Sequence, residues 1–150
     1  MQVSQKCQYT LRALFELAKR QGAEPVTAAE IAEAQAIPGR FLELILQNLR
    51  TEGMVESRRG NQGGYVLAGS PEAITVGDII RAVDGSLAPV NCVVGRSDEH
   101  CRLRNRCVFM GVWRKAQQAM EAVYDKTTLQ DLIDDERTVA QQNDPLVYVA

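Results

Sequence analysis

Residues 27–53 restrict the fold of this chain more strongly than any other stretch. Thr27 and Glu30 have the spacing of a capping box, in which each side chain bonds a free amide of the first helical turn, so a short helix is predicted there. A turn that contains Pro38 follows. The proline pushes residue 37, which precedes it, out of helical geometry and so ends the first helix. A second helix then runs to about Thr51. A short helix, a tight turn and a longer helix predict a helix-turn-helix.

A β-hairpin follows directly. Residues 54–57 and 64–67 read as two strands, and the basic, glycine-rich segment 58–63 between them closes the turn. A helix-turn-helix followed by a basic hairpin is the pattern of a winged helix. The side chains that we expect the second helix to bury are Phe41, Leu42, Ile45, Leu46 and Leu49.

Helical patterns lie on both sides of this unit. Residues 4–20 place Leu11, Leu14 and Leu17 on one apolar stripe. Residues 75–78 look like the cap of another helix. We therefore expect residues 1–84 to form a winged helix-turn-helix domain, mainly α with a small β-hairpin wing.

The C-terminal part divides into three further segments. Residues 85–107 form a long loop that contains three of the four cysteines, and loops of this length are commonly functional. Residues 108–137 are expected to hold a long helix and a short last helix capped by Thr128, and residues 138–150 a flexible tail.

The long helix carries an apolar seam that a second copy of the chain could cover. Its members are spaced four, three, four and three residues apart, and they are Phe109, Trp113, Ala116, Met120 and Val123. We expect a two-fold homodimer through this helix, and the alternative is a helix folded back on its own domain.

The helix-turn-helix and the wing offer groups suited to duplex DNA. The start of the second helix of such a motif lies near base edges in the major groove, while arginines of a wing reach the backbone or a narrow minor groove. The expected DNA-contacting residues are Thr27, Pro38, Gly39, Arg40, Glu43, Arg50, Arg58, Arg59, Asn61 and Gln62. Each arginine alone could be a surface charge, but together they come in the order that places them on one face.

Composition limits the alternatives. The formal net charge is −2, but acidic residues concentrate in the last thirty positions, which leaves a basic face possible in the rest. The start of the chain lacks the apolar run of a signal peptide, and no segment is apolar enough to cross a membrane. We therefore expect a cytoplasmic protein without a membrane partner, whose cysteines are reduced thiols or metal ligands. One histidine and the lack of a phosphate-binding loop or nucleophile elbow argue against an enzyme.

Cys92, Cys101 and Cys107 are spaced C-x8-C-x5-C. Thiolates bind zinc or iron–sulfur clusters, but structural zinc sites usually contain closely spaced cysteine pairs, which this loop lacks. Wider spacing suits a bulkier iron–sulfur cluster, and nearby arginines would offset its negative charge. The arginines of this loop are Arg96, Arg102, Arg104 and Arg106.

A fourth ligand is not fixed by the spacing. His100 adjoins Cys101, Cys7 lies on the first helix in phase with its apolar stripe, and Gln8 follows it. Asp98, Glu99, a solvent molecule or an external thiol also remain open. Three alternatives to a cluster are open: the thiols form a redox disulfide switch, they bind zinc together with His100, or they have no function.

The sequence resembles the Rrf-type bacterial winged-helix transcriptional regulators, in particular their iron–sulfur cluster-binding branch. The resemblance covers roughly residues 1–137 and is most specific at residues 74–85, ITVGDIIRAVDG, and at Pro89-Val90-x-Cys92. Further matching stretches are residues 9–14, 31–42, 49–53 and 57–67, together with Cys107 followed by Trp113.

This resemblance implies a homodimeric transcription factor, most often a repressor, that binds a palindromic promoter site in double-stranded DNA. It implies that Cys92, Cys101 and Cys107 hold a cluster that senses iron–sulfur status, redox stress or nitric oxide. Met110 and Gln8 stand where two cluster-binding branches carry a histidine and an aspartate, so the choice between [2Fe–2S] and [4Fe–4S] stays open. The alternative is a cluster-free regulator with a thiol, disulfide or zinc switch.

Overall fold

The structure is a computed structural model that describes residues 2–95, 101–103 and 106–142. In chain order its elements are α1 (Gln5–Lys19), α2 (Ala28–Gln35), α3 (Gly39–Thr51), β1 (Val55–Arg58), β2 (Gly64–Leu67), α4 (Val76–Asp84), a 3-10 turn (Asn91–Val94), α5 (Met110–Tyr124) and α6 (Leu129–Gln142). The fold is mainly α with one two-stranded hairpin, which confirms the predicted fold class.

Helix α1 lies at the centre of the core. Its stripe of Ala13, Leu14 and Leu17 is at most 2% exposed, and the helix packs against α2, α3, α4, α6 and β2. Leu129 and Ile133 of α6 join the same apolar cluster. The last helix therefore packs back on the first one rather than continuing in the direction of α5.

The helix-turn-helix forms by local rules. Thr27 and Glu30 make the predicted capping box at the start of α2, where the Thr27 amide donates to the Glu30 carboxylate at 2.8 Å. Ala36 ends α2 in the left-handed region at a φ of 50°. Ile37 follows with 3% exposure, and its amide donates to the Ala32 carbonyl at 3.0 Å, so the turn is fixed by one buried side chain and one backbone bond.

Helix α3 buries four of the five side chains predicted for its inner face. Leu42, Ile45, Leu46 and Leu49 are at most 3% exposed. The expectation for Phe41 is wrong, since 52% of this residue is exposed. Its ring lies at the edge of the buried stripe and makes an edge contact with Tyr9, with ring centroids 6.1 Å apart.

The hairpin is antiparallel and is attached to the segment before α2. Val26 and Tyr65 exchange two backbone hydrogen bonds of 2.8 and 2.9 Å, so Val26 acts as a short third strand. Gly64 is required here, because a Cβ atom would lie 2.6 Å from the Val26 carbonyl oxygen. Strand β1 lies one residue later than predicted, because Arg58 pairs with Gly64.

Helices α4 and α5 are joined at one end. Arg81 donates to both carboxylate oxygens of Asp125 at 2.7 Å. A Cβ atom at Gly77 would lie 2.0 Å from the Asp125 carboxylate, so a side chain there would displace this ion pair. The C-terminal end of α5 is therefore fixed on α4.

The ends of the last two helices differ from the prediction. Helix α5 begins at Met110 rather than Val108, and α6 continues to Gln142, past Glu136, because residues 137–142 contain no glycine or proline to stop it. Residues 138–142 of the predicted tail are thus helical, and residues 143–150 lie outside the described part. Among the described helices, none is both long and apolar enough to span a membrane.

Candidate DNA interface and cysteine loop

The outer face of α3 is the first candidate interface. Arg40, Glu43 and Arg50 are all exposed, as are Pro38 and Gly39 at the start of the helix. No side chain caps this helix start, and the amides of Phe41 and Leu42 donate to the Pro38 carbonyl. The predicted residues of the second helix therefore lie on a face that a DNA duplex could approach.

The wing places its polar residues at the surface. Arg58, Arg59, Asn61 and Gln62 are exposed. Arg58 belongs to the paired part of β1, and the tip is formed by residues 59–63, with Gly60 at a φ of 127°. Only Arg59, Asn61 and Gln62 of this group therefore lie on the tip itself.

Thr27 is exposed but its hydroxyl is already in use. It donates to the Glu30 carboxylate at 2.6 Å and accepts from the Glu30 amide at 3.3 Å. The hydrogen bonds that the Thr27 hydroxyl and the Thr27 amide donate to the Glu30 carboxylate lower the pKa of Glu30, and the hydroxyl bond does so most strongly. Thr27 therefore caps helix α2, and its predicted contact with a DNA phosphate stays a prediction.

A buried carboxylate that the sequence analysis missed holds α1 against α2. Glu16 is 4% exposed and accepts hydrogen bonds from Arg20 and Gln35, each at 2.8 Å. Arg20 also lies 3.7 Å from the Glu30 carboxylate. The four-residue spacing of Glu16 and Arg20 was a usable signal for an ion pair, but the contact with Gln35 could not be read from it.

The cysteine loop is anchored where it leaves α4. Asp84, the last residue of α4, accepts from the Ser4 amide at 2.8 Å and from the Ser4 hydroxyl at 2.5 Å. Leu87, three residues on, packs with Cys7 and Ile80 in a small buried cluster. The start of the loop is therefore attached to the N-terminal end of α1, a contact between residues eighty positions apart.

The three loop cysteines are accessible to different degrees. Cys92 lies in the 3-10 turn and is half-buried, Cys101 is exposed, and Cys107 is half-buried just before α5. None of them forms a disulfide. Within the described residues, no group of three or more histidine, cysteine or acidic side chains is close enough to hold a metal ion.

The predicted fourth ligands differ in their surroundings. Cys7 is fully buried, and burial, together with the charge and hydrogen bond of Asp84, raises the pKa of its thiol to about 11. A protonated, enclosed thiol is a poor ligand, so Cys7 is in this respect a small buried hydrophobe. Gln8 is exposed and its side-chain amide donates to the Val3 carbonyl at 3.1 Å. His100 lies outside the described residues, as do Asp98 and Glu99.

The predicted dimerisation residues lie on a helix that buries no residue of its own. Phe109 and Val123 are 57% and 61% exposed. Trp113, Ala116 and Met120 are half-buried, and the Phe109 and Trp113 rings lie 6.4 Å apart. A second apolar surface, a groove of about 410 Å³ between α1 and α6, includes Leu11, Phe15, Leu132 and Val139.

Comparison with known proteins gives consistent matches. The profile of the Rrf2 family, described as iron-dependent transcriptional regulators, matches residues 3–135. The HTH-type transcriptional regulator CymR of Bacillus subtilis is 39% identical over 132 residues, 88% of this chain and 89% of the relative. IscR of Yersinia pseudotuberculosis is 33% identical over 136 residues, 91% and 81% of the two chains. The solved structure of T. potens IscR superposes with a TM-score of 0.76 at 36% identity, covering 99% of this chain and 96% of that one.

Proposed function

This chain belongs to the Rrf2 family of transcriptional regulators, and we propose that it controls transcription as a homodimer whose cysteine loop carries the sensor. The match to this family confirms the resemblance predicted from the sequence. Its relatives are HTH-type transcriptional regulators and not enzymes. The repressor mode, the palindromic site, the dimer and the cluster belong to the proposal.

The observation that supports DNA binding is the exposed outer face of α3, which is followed in the chain by an exposed basic wing. The helix start and Arg40 would meet base edges and phosphates in the major groove, and Arg59 would meet the backbone or minor groove. Arg40 and Arg59 are both exposed.

Salt-dependent binding tests the wing. Arg59→Ala is expected to weaken binding to a promoter fragment and to reduce the slope of log K against log salt by about 1. Arg137→Ala is the matched control, because Arg137 is an exposed arginine on α6 and is not part of the wing. If the two variants gave the same slope as the wild type, the wing would not contact DNA.

The dimer proposal is supported by the exposed apolar side chains of α5. Phe109, Val112 and Val123 are each more than half exposed, which is costly in a monomer and typical of a helix covered by a partner. We expect light scattering to give the mass of a dimer. Val123→Glu should shift it towards monomer, whereas Gln118→Glu, which adds the same charge to an exposed position of α5, should not. A wild-type monomer would refute the dimer.

The cysteine loop is suited to an iron–sulfur cluster by its donors. Cys92, Cys101 and Cys107 are free thiols on one loop, and exposed arginines near them, Arg102 and Arg106, balance negative charge. These three residues would hold the cluster. When bound, such a cluster supplies sensitivity to oxygen, nitric oxide and iron supply, and its loss or modification would change the affinity for DNA.

Anaerobic purification tests the cluster directly. We expect broad visible absorption with matched iron and sulfide, lost in Cys101→Ala, and the spectral type would distinguish [2Fe–2S] from [4Fe–4S]. A colourless protein without iron after anaerobic reconstitution would refute the cluster.

The second candidate is a cluster-free regulator. Its support is that CymR, one of the similar proteins, is described as the global cysteine regulator of B. subtilis, and that the described residues bring no metal-binding group together. In that case zinc analysis or mass mapping of a disulfide between loop cysteines would identify a zinc or thiol switch.

A further inference from the structure

One large apolar side chain on α3 has no place in the core. Of the described residues 2–84, the large hydrophobic side chains that are more than half exposed are Phe41 and Leu44, at 52% and 62%, and both lie on this helix. Phe41 makes a ring contact with Tyr9. Leu44, one turn further along, remains to be explained.

Leu44 lies on the side of the helix that faces away from the core. The buried stripe consists of Leu42, Ile45, Leu46 and Leu49. At about 100° per residue, Leu44 is within about 30° of the direction opposite to the centre of that stripe. Arg40 and Gln47, four residues before it and three after it, share this outer stripe and are exposed.

The neighbours of Leu44 determine what it can meet. Arg40 and Gln47 are side chains that can form paired hydrogen bonds with guanine and adenine, so the stripe has the composition of a surface that contacts base edges. Among groups exposed in the major groove, the C5 methyl of thymine is the apolar one, while the other base edges and the phosphates are polar. An aliphatic side chain in this stripe is complementary to that methyl group alone.

We propose that Leu44 is a specificity-determining residue that selects thymine at one position of each half-site through contact with its C5 methyl. The inference rests on the proposed DNA-binding function. Uracil isolates this contact, because it pairs like thymine but lacks the methyl group.

The test begins with duplexes that the full-length wild-type protein selects from a randomised library. Each thymine of a selected duplex is then replaced singly by uracil, and the affinity is measured. Burial of one methyl group corresponds to about a fourfold change in affinity, so for each half-site the wild type should bind one singly substituted uracil duplex about fourfold more weakly.

Leu44→Ala should bind the thymine and uracil duplexes equally. Alanine at an exposed helix position should not disturb folding. Leu103→Ala is the matched control, because Leu103 is a leucine of the cysteine loop that is 55% exposed. It should keep the wild-type ratio even if its overall affinity changes.

Each other outcome overturns the proposal in a distinct way. If Leu44→Ala kept the discrimination, another residue would read the methyl group. If the wild type bound all uracil duplexes as well as thymine, no methyl group would be read. If no duplex were enriched at all, the proposed DNA-binding function would fail as well.

Discussion

Replacing Glu16 by glutamine tests whether a buried carboxylate fixes the first helix of the helix-turn-helix. The Glu16 side chain is 5% exposed and accepts from both Arg20 and Gln35 at 2.8 Å. Glutamine has nearly the same shape, but its single amide oxygen can satisfy one donor while its NH2 group faces the other. The substitution therefore removes charge and one hydrogen bond without leaving a cavity.

The expected cost follows from these contacts. A hydrogen bond to a charged group contributes about 1.5–3 kcal/mol, and the partly exposed Arg20 can regain water, so we expect about 2 kcal/mol. For a chain of this length the midpoint of thermal unfolding should fall by about 4–8 °C. Promoter affinity should fall as well, because α2 supports the turn that places α3.

Thermal unfolding followed by far-UV circular dichroism measures the effect. Glu33→Gln is the matched control, because Glu33 is an exposed glutamate on α2, and its midpoint should stay within about 1 °C of the wild type. If Glu16→Gln and Glu33→Gln had the same midpoint of thermal unfolding, the two hydrogen bonds of Glu16 would not contribute to stability and the reasoning would be wrong.

Three further substitutions or treatments address other parts of the fold. Gly64→Ala should lower the free energy of unfolding by about 1–3 kcal/mol in denaturant titrations, because the new Cβ would collide with the Val26 carbonyl 2.6 Å away. Cys7 should resist alkylation by iodoacetamide in the native protein, as read by mass spectrometry, because its thiol is buried and its pKa is raised to about 11. Glu30→Gln should be less stable than the wild type at neutral pH. Since Thr27 lowers the pKa of Glu30, that stabilisation is present above the unfolded-state pKa and is lost as the pH falls through the folded-state value, so the gap should close in acid.

Two of these predictions have a matched control, and the third has an outcome that would contradict it. Gly111→Ala should be tolerated, because nothing lies within 4 Å of its added Cβ. Cys101, which is exposed, should react rapidly when the same alkylation is carried out on protein from which any cluster has been removed, and an equal rate for Cys7 would contradict its enclosure. A constant stability gap between Glu30→Gln and the wild type at every pH would show that the charge on Glu30 does not matter.

Local features of the sequence were sufficient for α2, α3, α4 and the hairpin. Capping boxes at Thr27 and Thr75, the break at Pro38 and the basic turn predicted α2, α3, α4 and the wing to within a residue or two. These features act over three or four positions, so they can be read without knowing what packs on the element.

Some residues of the candidate DNA interface could be predicted from the sequence. The spacing of charged and polar residues indicated Arg40 and Arg59, and the structure exposes both. The sequence pattern does not single out Leu44, because an apolar residue within a helix usually belongs to the core, and for the same reason the pattern wrongly places Phe41 there.

What the sequence by itself determined is the order and type of the elements, the apolar stripes of α1 and α3, and the set of thiols available in the loop. Tertiary structure alone decided which side chains at the edges of those stripes are covered. It also decided that Glu16 meets Gln35 and that Asp84 holds Ser4. The reason is physical: secondary structure depends on neighbours a few residues away, whereas burial and hydrogen-bond partners depend on elements that are distant in the chain and adjacent only after folding.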